Sequence, residues 1–324
     1  MSLTLIDAAE EAANRGEERL SEIILQFGES MFMRYMSVRR IAGGVISGSR
    51  EERLPEVNFR GINEGYREDA GETAPFAEST KIFGGDLDVD ISLVRNYGEA
   101  MRRNRENMKA RAMALKFEHT VIKGNAAIDS RQFNGLQARV PISPSSTQLV
   151  FPGGLGATPS AGGDALRLRA LDYAIKRTRN ATHWVMNQYM SMLMTEAARA
   201  SGVSGFINYT QDQFGRPVTT YAGLPIIEID EDAQGNQIMP FEEENPGGGE
   251  PNSTSIYCVS LRDDGLTGIH SMPTEEQLFM YEDFGHISEK PVYRTRVESE
   301  LAIACLDNRA ITRIAGIKQE AVAA

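Results

Sequence analysis

The residues best suited to catalysis or metal binding are few, and their spacing does not assemble a site. No two-histidine or histidine–cysteine pair lies at the spacing that holds zinc on a helix. The sequence contains neither a GxSxG nucleophile elbow nor a phosphate-binding glycine loop that ends in Lys-Ser/Thr. We therefore expect no catalytic residue, no metal and no cofactor, and a protein that is not an enzyme. The histidines are His119, His183, His270 and His286.

The cysteines and the acidic residues point the same way. Cys258 and Cys305 form no CxxC motif and lie in apolar, strand-like runs, which predicts buried free thiols. Residues 228–289 are rich in carboxylates and almost devoid of basic residues, but they show no EF-hand spacing. This tract favours a solvated acidic surface over a calcium site.

The overall charge excludes some function classes. The chain has 324 residues, is 41% hydrophobic and carries a net charge of −11. A free-standing nucleic-acid-binding domain is usually basic, so that class is disfavoured, whereas a container for nucleic acid must not stick to its contents. No leader-like start and no apolar run near the about 18 residues of a membrane span occur. We expect a soluble protein, made in the cytoplasm, with no membrane partner.

The N-terminal part combines a helix with an apolar run. Thr4 can cap a helix, and Asp7, three residues on, completes a pattern like a capping box. A run rich in Met and Phe follows, from Ile23 to Met36. It fits an ordinary core helix and equally an arm that packs on a neighbouring subunit.

Residues 42–88 predict a long two-stranded excursion. LPEVNFRGI and KIFGGDLDVDI can form strands, and the segment between them, EGYREDAGETAPFAEST, is polar and rich in turn residues. Because an isolated hairpin is marginally stable in water, this element needs a partner surface.

Residues 89–123 predict a long helix, nearly unbroken from about Val89 to Val121 with a bend at Gly98. At about 1.5 Å per residue, a stretch of roughly 35 residues would span about 50 Å. We expect its core face to hold the apolar residues that recur at helical spacing. Its basic residues outnumber its acidic ones, which predicts either a solvated face or one that meets phosphate or an acidic neighbour. The predicted core residues are Val94, Met101, Met108 and Leu115.

The rest of the chain predicts mixed helices and strands. Asp164 is expected to cap a helix through Arg177, the strand THWVMN leads into a Met-rich helix closed by Gly202, and YAGLPIIEID is a strand. YRTRVESELAIAC alternates apolar and charged residues, which is typical of a half-buried strand. DNRAITRIAGI adds a turn and a last strand.

Five segments, in this order, resemble tailed-bacteriophage major capsid proteins of the HK97-like fold. The resemblance covers nearly the whole chain and depends on the order more than on any one piece. The segments are LPEVNFRGINEGYRE, FGGDLDVD, FNGLQARV, TYAGLPIIEID and VESELAIACLDNRAITRI.

The resemblance implies an α+β fold in five parts and a role as a shell subunit. The family builds hexamers and pentamers of an icosahedral virion capsid around double-stranded DNA. The implied parts are an N-terminal arm (1–41), an extended E-loop (42–88), a P-domain with the spine helix and the following loop (89–164), an A-domain (165–285), and P-domain closing strands (286–324).

The resemblance also implies which residues contact neighbouring subunits. In the arm and the E-loop these are Phe27, Met31, Phe32, Phe59, Arg60, Tyr66, Arg67, Glu68, Phe76 and Lys81. Some relatives form an isopeptide cross-link between a Lys of the E-loop and an Asn. Here Lys81 is the sole lysine of residues 42–88, near the base of the excursion, and FGHISEKPVYRTRVE contains no Asn, so we expect a shell without covalent links.

The implied partners are further copies of the chain, a portal protein and packaged DNA bound without sequence specificity. Some relatives carry a fused N-terminal scaffolding segment. Met1 leads here almost directly into the arm, so we expect a separate scaffolding protein. A decoration protein is a further candidate, which the sequence does not decide.

Two alternatives stay open. An encapsulin-like compartment uses the same fold. Neighbouring terminase and portal genes would indicate a phage head, whereas a neighbouring gene for a cargo enzyme would indicate the compartment. An unrecognised soluble enzyme is the alternative of another class, and size-exclusion chromatography with electron microscopy would separate a small oligomer from a shell.

Overall fold

A computed structural model describes residues 3–143, 146–199, 207–211 and 217–323 of the chain. The helices alternate with strands that form three sheets. The helices are α1 (Leu5–Asn14), α2 (Glu18–Gln26), α3 (Met31–Tyr35), α4 (Ile91–Tyr97), α5 (Glu99–Lys123), α6 (Leu136–Arg139), α7 (Leu168–Arg177) and α8 (Gln188–Arg199). The strands are β1 (Val38–Arg40), β2 (Val45–Arg53), β3 (Glu72–Ser79), β4 (Lys81–Asp90), β5 (Leu149–Val150), β6 (His183–Asn187), β7 (Ile207–Gln211), β8 (Pro217–Tyr221), β9 (Leu224–Ile229), β10 (Ser253–Val259), β11 (Leu266–His270), β12 (Met280–His286), β13 (Val292–Cys305) and β14 (Ile311–Lys318).

The N-terminal helix begins with the predicted capping box. The Thr4 side chain accepts a hydrogen bond from the Asp7 backbone N–H, and the Asp7 carboxylate accepts one from the Thr4 N–H. The box satisfies two N–H groups that the first turn of a helix leaves without partners. Helices α1–α3 then pack their apolar faces into the core that also holds one side of α5.

The first sheet is organised around β13, the strand whose alternation predicted it. On one side β13 pairs antiparallel with β11 and β12, and on the other with β4, while β1 adds a parallel strand outside β11. The inward residues Thr295, Val297, Ser299 and Leu301 are buried, as the period-two pattern predicts.

The central strands of the second sheet, β14, β10 and β6, are buried on both faces, and the sheet joins two hydrophobic cores. Its strands run in the order β5-β14-β10-β6-β9-β8-β7. Along β6, Trp184 and Met186 enter the core formed with α7 and α8, whereas Val185 enters the core shared with α5 and the first sheet. Buried central strands of this kind are apolar on both faces.

The long helix is broken where the sequence predicts a bend. Gly98 adopts φ 76°, which a residue with a side chain rarely adopts, and it separates α4 from α5. The predicted core face is wrong at Met108, and two further predicted core residues are only partly buried. Met108 is 62% exposed, Met101 and Leu115 are partly exposed, and Val94 is buried. The buried face of α5 is instead made of Ala110, Met113, Ala114, Phe117, Val121 and Ile122.

Three local predictions need correction. LPEVNFRGI is not a strand: β2 ends at Arg53, and residues 54–62 have no strand partner. KIFGGDLDVD is a strand, but it pairs with β13 in the first sheet instead of within the excursion. Asp164 forms a bridge with Ile317 and does not cap α7, which begins at Leu168. Gly202 lies outside the described residues.

Candidate assembly surfaces

The two-stranded sheet β2–β3 forms a hairpin that projects from the body. It is anchored at its base by Glu78, whose carboxylate accepts hydrogen bonds from Arg139 at 2.5 and 3.1 Å and from Arg50 at 3.3 Å. Arg139 also donates to the Ile303 carbonyl of β13 at 2.9 Å. Glu78 and Arg139 are both largely buried, so this ion pair is weakly screened and fixes the base of the hairpin to the first sheet.

The far end of the hairpin is closed by Asp69. Arg53 donates to both Asp69 oxygens, at 2.7 and 2.8 Å, and the Glu56 and Gly71 N–H groups donate at 2.7 and 3.2 Å. The Arg53 side chain and these N–H groups hold the pKa of Asp69 well below its usual range. We call residues 54–71 the tip loop. These contacts of Asp69 close the loop where it joins β2 and β3, a point that we call the neck.

The tip loop exposes large apolar side chains on every side. Phe59 is 107% exposed, and Arg60 stacks over the Tyr66 ring with its guanidinium carbon 5.1 Å from the ring centroid. Arg67 and Glu68 are also exposed. A loop of this composition has no core of its own, and large apolar patches at such positions mark interaction surfaces. The exposed apolar residues are Leu54, Val57, Phe59, Ile62 and Tyr66.

Two predicted contact residues lie at the base of the hairpin. Phe76 is partly buried, and the Arg50 guanidinium lies 4.4 Å from its ring centroid. The Lys81 Nζ donates to the Ser130 carbonyl at 2.9 Å. Both side chains therefore have partners within the same chain.

The predicted arm contacts at Phe27 and Phe32 are wrong for this conformation. Both side chains are completely buried in the subunit's own core, and the Phe27 ring centroid lies 4.0 Å from that of Phe279. Met31 is partly buried against the same core. The apolar run packs as a core element, which is the other reading of its sequence.

A shallow groove opens between β4 and α5. Leu87, Met101 and Met108 supply its apolar surface, and Asn104, Arg105 and Lys109 lie along its border. The two methionines that the sequence places in the core therefore line a surface groove.

Charged side chains alternate across β4 and β13. Asp86 faces Arg296 and Asp88 faces Arg294, with shortest N–O distances of 2.7 and 2.6 Å. The hydrogen bonds from these arginines lower the pKa of each aspartate. Beside them, a Cβ on Gly84 would lie 2.4 Å from the Val297 carbonyl oxygen, so only glycine fits there.

Sequence reasoning missed the anchoring residues Asp69, Glu78 and Arg139. Their partners are distant in sequence, so spacing alone holds no signal for them. The β4–β13 ion pairs did carry one: Asp86 and Asp88 on one strand, and Arg294 and Arg296 on the other, alternate with period two.

Within the described ranges, no group of three or more His, Cys, Asp or Glu side chains is placed to hold a metal ion. No helix of those ranges is long and apolar enough to cross a bilayer. Cys258 and Cys305 are buried free thiols, as predicted.

Comparison with known families and proteins gives one sequence match. A family model described as Major capsid protein GP7 matches residues 49–161, which begin within β2 and run through the tip loop, β3, β4, α4, α5 and α6. No curated protein matches the sequence at a significant level.

Several solved structures share the fold at low sequence identity. The capsid of a native GTA particle superposes with a TM-score of 0.59 at 13% identity, over 89% of this chain and 90% of that chain. The holo-SrpI encapsulin complex from Synechococcus elongatus gives 0.58 at 14% identity, over 88% and 86%. A structure from Mycobacterium phage Bobi gives 0.56 at 10% identity, over 88% and 89%.

The family match covers most of the hairpin and the long helix. The structural matches cover most of this chain and most of each matched chain. The mixed helix and sheet architecture is the one these shells use. The chain shares the fold of these capsid and encapsulin structures, and its residues 49–161 match the model of a major capsid protein family.

Proposed function

We propose that this protein is the major capsid protein of a tailed bacteriophage. Its copies form hexamers and pentamers of an icosahedral head that encloses double-stranded DNA. It acts in the virion, after synthesis and assembly in the host cytoplasm.

The observation that carries the proposal is the tip loop. Five large apolar side chains stand in solvent at the end of a hairpin that is pinned at both ends by ion pairs. Covering a side chain of this size contributes about 1.5–3 kcal/mol, so a neighbouring copy that covers several of them gains a stable joint. A subunit that worked alone would have no reason to hold such a loop away from its body.

We assign the parts of the chain on the same basis. Residues 1–41 are the N-terminal arm, 89–164 and 286–324 the P-domain, and 165–285 the A-domain. The E-loop was expected over 42–88; since Lys81–Asp90 pairs with β13, we place the projecting part at Val45–Ser79.

The proposed partners follow from a head that is filled with DNA. They are further copies of the chain, a portal protein, a separate scaffolding protein that guides curvature, and DNA held without sequence specificity. A decoration protein on the outer surface is compatible with the fold.

One observation favours a second candidate, an encapsulin-like compartment. The holo-SrpI encapsulin complex shares the fold over 88% of this chain. The content of purified particles separates the two: nuclease-protected double-stranded DNA supports the phage head, and a co-purifying protein cargo without DNA supports the compartment. The family match over residues 49–161 favours the phage head.

Assembly of the full-length chain tests the proposal. We compare the wild type with a Phe59→Ser/Ile62→Ser tip variant by sedimentation and negative-stain microscopy. The matched control is Ile128→Ser/Leu155→Ser, which removes two apolar side chains that are also largely exposed, outside the tip loop. We expect capsomers or shells from the wild type and the control, and much smaller species from the tip variant. A wild type that stays monomeric at high concentration, or a tip variant that assembles normally, would overturn the proposal.

A further inference from the structure

A line of basic side chains runs along one side of α5. Arg105, Lys109, Lys116 and Lys123 follow at spacings that return each to the same side of a helix with about 3.6 residues per turn. From first to last they extend over about 27 Å, at about 1.5 Å per residue. Lys116 is exposed and the other three are partly exposed. We call these four residues the cationic stripe.

The carboxylates in this part of α5 are turned away from the stripe. Glu106 and Glu118 are buried, and Glu106 is already engaged by Arg19 and Arg102. Among the residues that the structure describes, no carboxylate forms an ion pair with any member of the stripe. The stripe is therefore not ion-paired within the described ranges, although Asp232 lies close enough to His119, on the same side of α5, to interact with it electrostatically.

The stripe stands out against an acidic protein. The net charge of the chain is −11, so most of its surface repels a polyanion. A line of positive charge on such a surface attracts a polyanion along one direction and restricts how it approaches. The charge distribution thus selects both where a partner binds and how it is oriented.

The side chains between the cations distinguish the class of partner. Between Lys109 and Lys123, the same side of α5 presents Ala112 and His119, whereas the exposed Met108 and its groove lie at the Arg105–Lys109 end of the stripe. An interface with another protein has an apolar centre, whereas phosphate groups require only cations along a line. The part of the stripe from Lys109 to Lys123 therefore fits a phosphate backbone better than an acidic protein segment.

We propose that the cationic stripe binds phosphate groups of the packaged nucleic acid without reading its sequence. The inference rests on the proposed function, because it presupposes a shell that encloses DNA. Contacts to phosphate alone carry no base specificity, so the stripe would hold the outermost DNA loosely and depend strongly on salt.

The test uses unassembled full-length subunits and a short fluorescent DNA duplex of mixed sequence. The stripe variant is Lys109→Gln/Lys116→Gln/Lys123→Gln. The matched control is Lys176→Gln/Lys290→Gln/Lys318→Gln, which changes the net charge by the same amount elsewhere on the chain. Fluorescence anisotropy is measured over a series of salt concentrations, and thermal melts confirm that all three proteins are folded.

We expect the salt dependence of duplex binding to weaken in the stripe variant and not in the control. Each phosphate contact contributes about 0.9 to the slope of log affinity against log salt, so three lost contacts should flatten the slope by about 2–3. Affinity at low salt should fall by about tenfold or more, while the control keeps the wild-type slope. Equal losses in both variants would overturn the proposal, since only the total charge would matter.

A second readout separates this inference from the proposed function. If the stripe variant binds duplex like the wild type but no longer assembles, an acidic segment of another copy occupies the stripe, and the inference is wrong. If the wild type forms no shells although the stripe variant loses duplex binding, the failure lies with the proposed function alone.

Discussion

Glu118, on the buried face of α5 towards its C-terminal end, lies beside the backbone N–H of Met31, the first residue of α3. Ser30, which precedes that helix, makes no capping bond with its side chain. The N-terminal segment and α5 therefore meet at a buried carboxyl group, whose Oε1 has no hydrogen-bond partner among the described residues. The group is only 4% exposed, and its burial raises the pKa of Glu118 to about 8, against the opposing effects of the Met31 N–H and Arg34.

Replacing Glu118 by Gln should stabilise the protein at alkaline pH. The pKa of Glu118 is 4.5 when exposed and about 8 when folded, so the folded state binds an extra proton between these values. Stability from this group is present below pH 4.5 and is lost as the pH rises through 8. Because Gln stays neutral, we expect a gain of about 1–3 kcal/mol near pH 8, where one pKa unit corresponds to about 1.4 kcal/mol.

Urea unfolding at pH values from 5 to 8.5 would measure this effect. Glu99→Gln, on the exposed start of α5, is the control and should leave the pH profile unchanged. An E118Q gain that is the same at all pH values would contradict the assignment.

His270 should weaken the fold in acid. It is fully buried in β11, and its burial, together with the nearby Arg40, lowers the pKa of His270 to about 4. The unfolded state therefore binds the proton first, so stability is present above pH 6.5 and is lost as the pH falls towards 4. In His270→Gln, the loss of stability between pH 6.5 and 4.5 should shrink by about 1 kcal/mol per pH unit. His286→Gln, at an exposed position, serves as the comparison; equal slopes in the two variants would refute the role of His270.

The buried ion pair of Arg313 and Glu243 should tolerate joint removal better than the loss of one partner. Arg313 donates to Glu243 at 2.8 Å, to Ser255 Oγ at 2.9 Å and to the Val140 carbonyl at 2.9 Å. Glu243→Leu leaves a buried unpaired charge and should cost about 3–5 kcal/mol in chemical unfolding. Adding Arg313→Met to that variant should recover a good part of the loss. Additive losses would show that the two residues are not coupled.

The corrected core face of α5 predicts opposite outcomes for two neighbouring turns. Phe117 is buried between Phe83 and Phe133, so Phe117→Ala should cost about 3–5 kcal/mol. Met108 is largely exposed, so Met108→Ser should change stability by about 0.5 kcal/mol or less. Thermal melts of the unassembled variants decide this, and a large loss for M108S would restore the face that the sequence predicts.

The shell should hold without covalent cross-links. Lys81, the sole lysine of residues 42–88, donates to Ser130 of its own chain at the base of the hairpin. Boiled particles should therefore run as one band of 35.7 kDa on a denaturing gel. A ladder of multimers would show that this lysine reacts with a neighbour.

The elements whose pattern is local were predictable, and those that depend on distant contacts were not. Strand β13 and the capping box of α1 follow from residues a few positions apart. The core face of α5 does not, because Met101, Met108 and Leu115 form one apolar line while Ala110, Met113 and Phe117 form another. Which line is buried depends on where α2 and β4 pack, and periodicity holds no record of that.

The candidate surfaces show the same limit. Val57 and Phe59 have the spacing of a strand, yet they lie in a loop that has no strand partner among the described residues. Sequence alone does not distinguish apolar residues that a strand buries from those that another copy of the chain would cover. For Phe27 and Phe32 the error is the reverse: they were predicted to contact a neighbouring subunit but are buried within their own. The aromatic partner of Phe27 is Phe279, some 250 residues away in sequence.

The hairpin is fixed at its base by Glu78 and at its neck by Asp69, and between them it is a ribbon of two strands. Two-stranded ribbons twist more than wider sheets, because no third strand resists the rotation. The joint between neighbours would therefore keep the same chemistry at its end while the angle between them varies. One subunit could then fit both a flat patch and a sharply curved corner of a closed shell. The flexibility that this requires would reside in two short strands, of nine and eight residues.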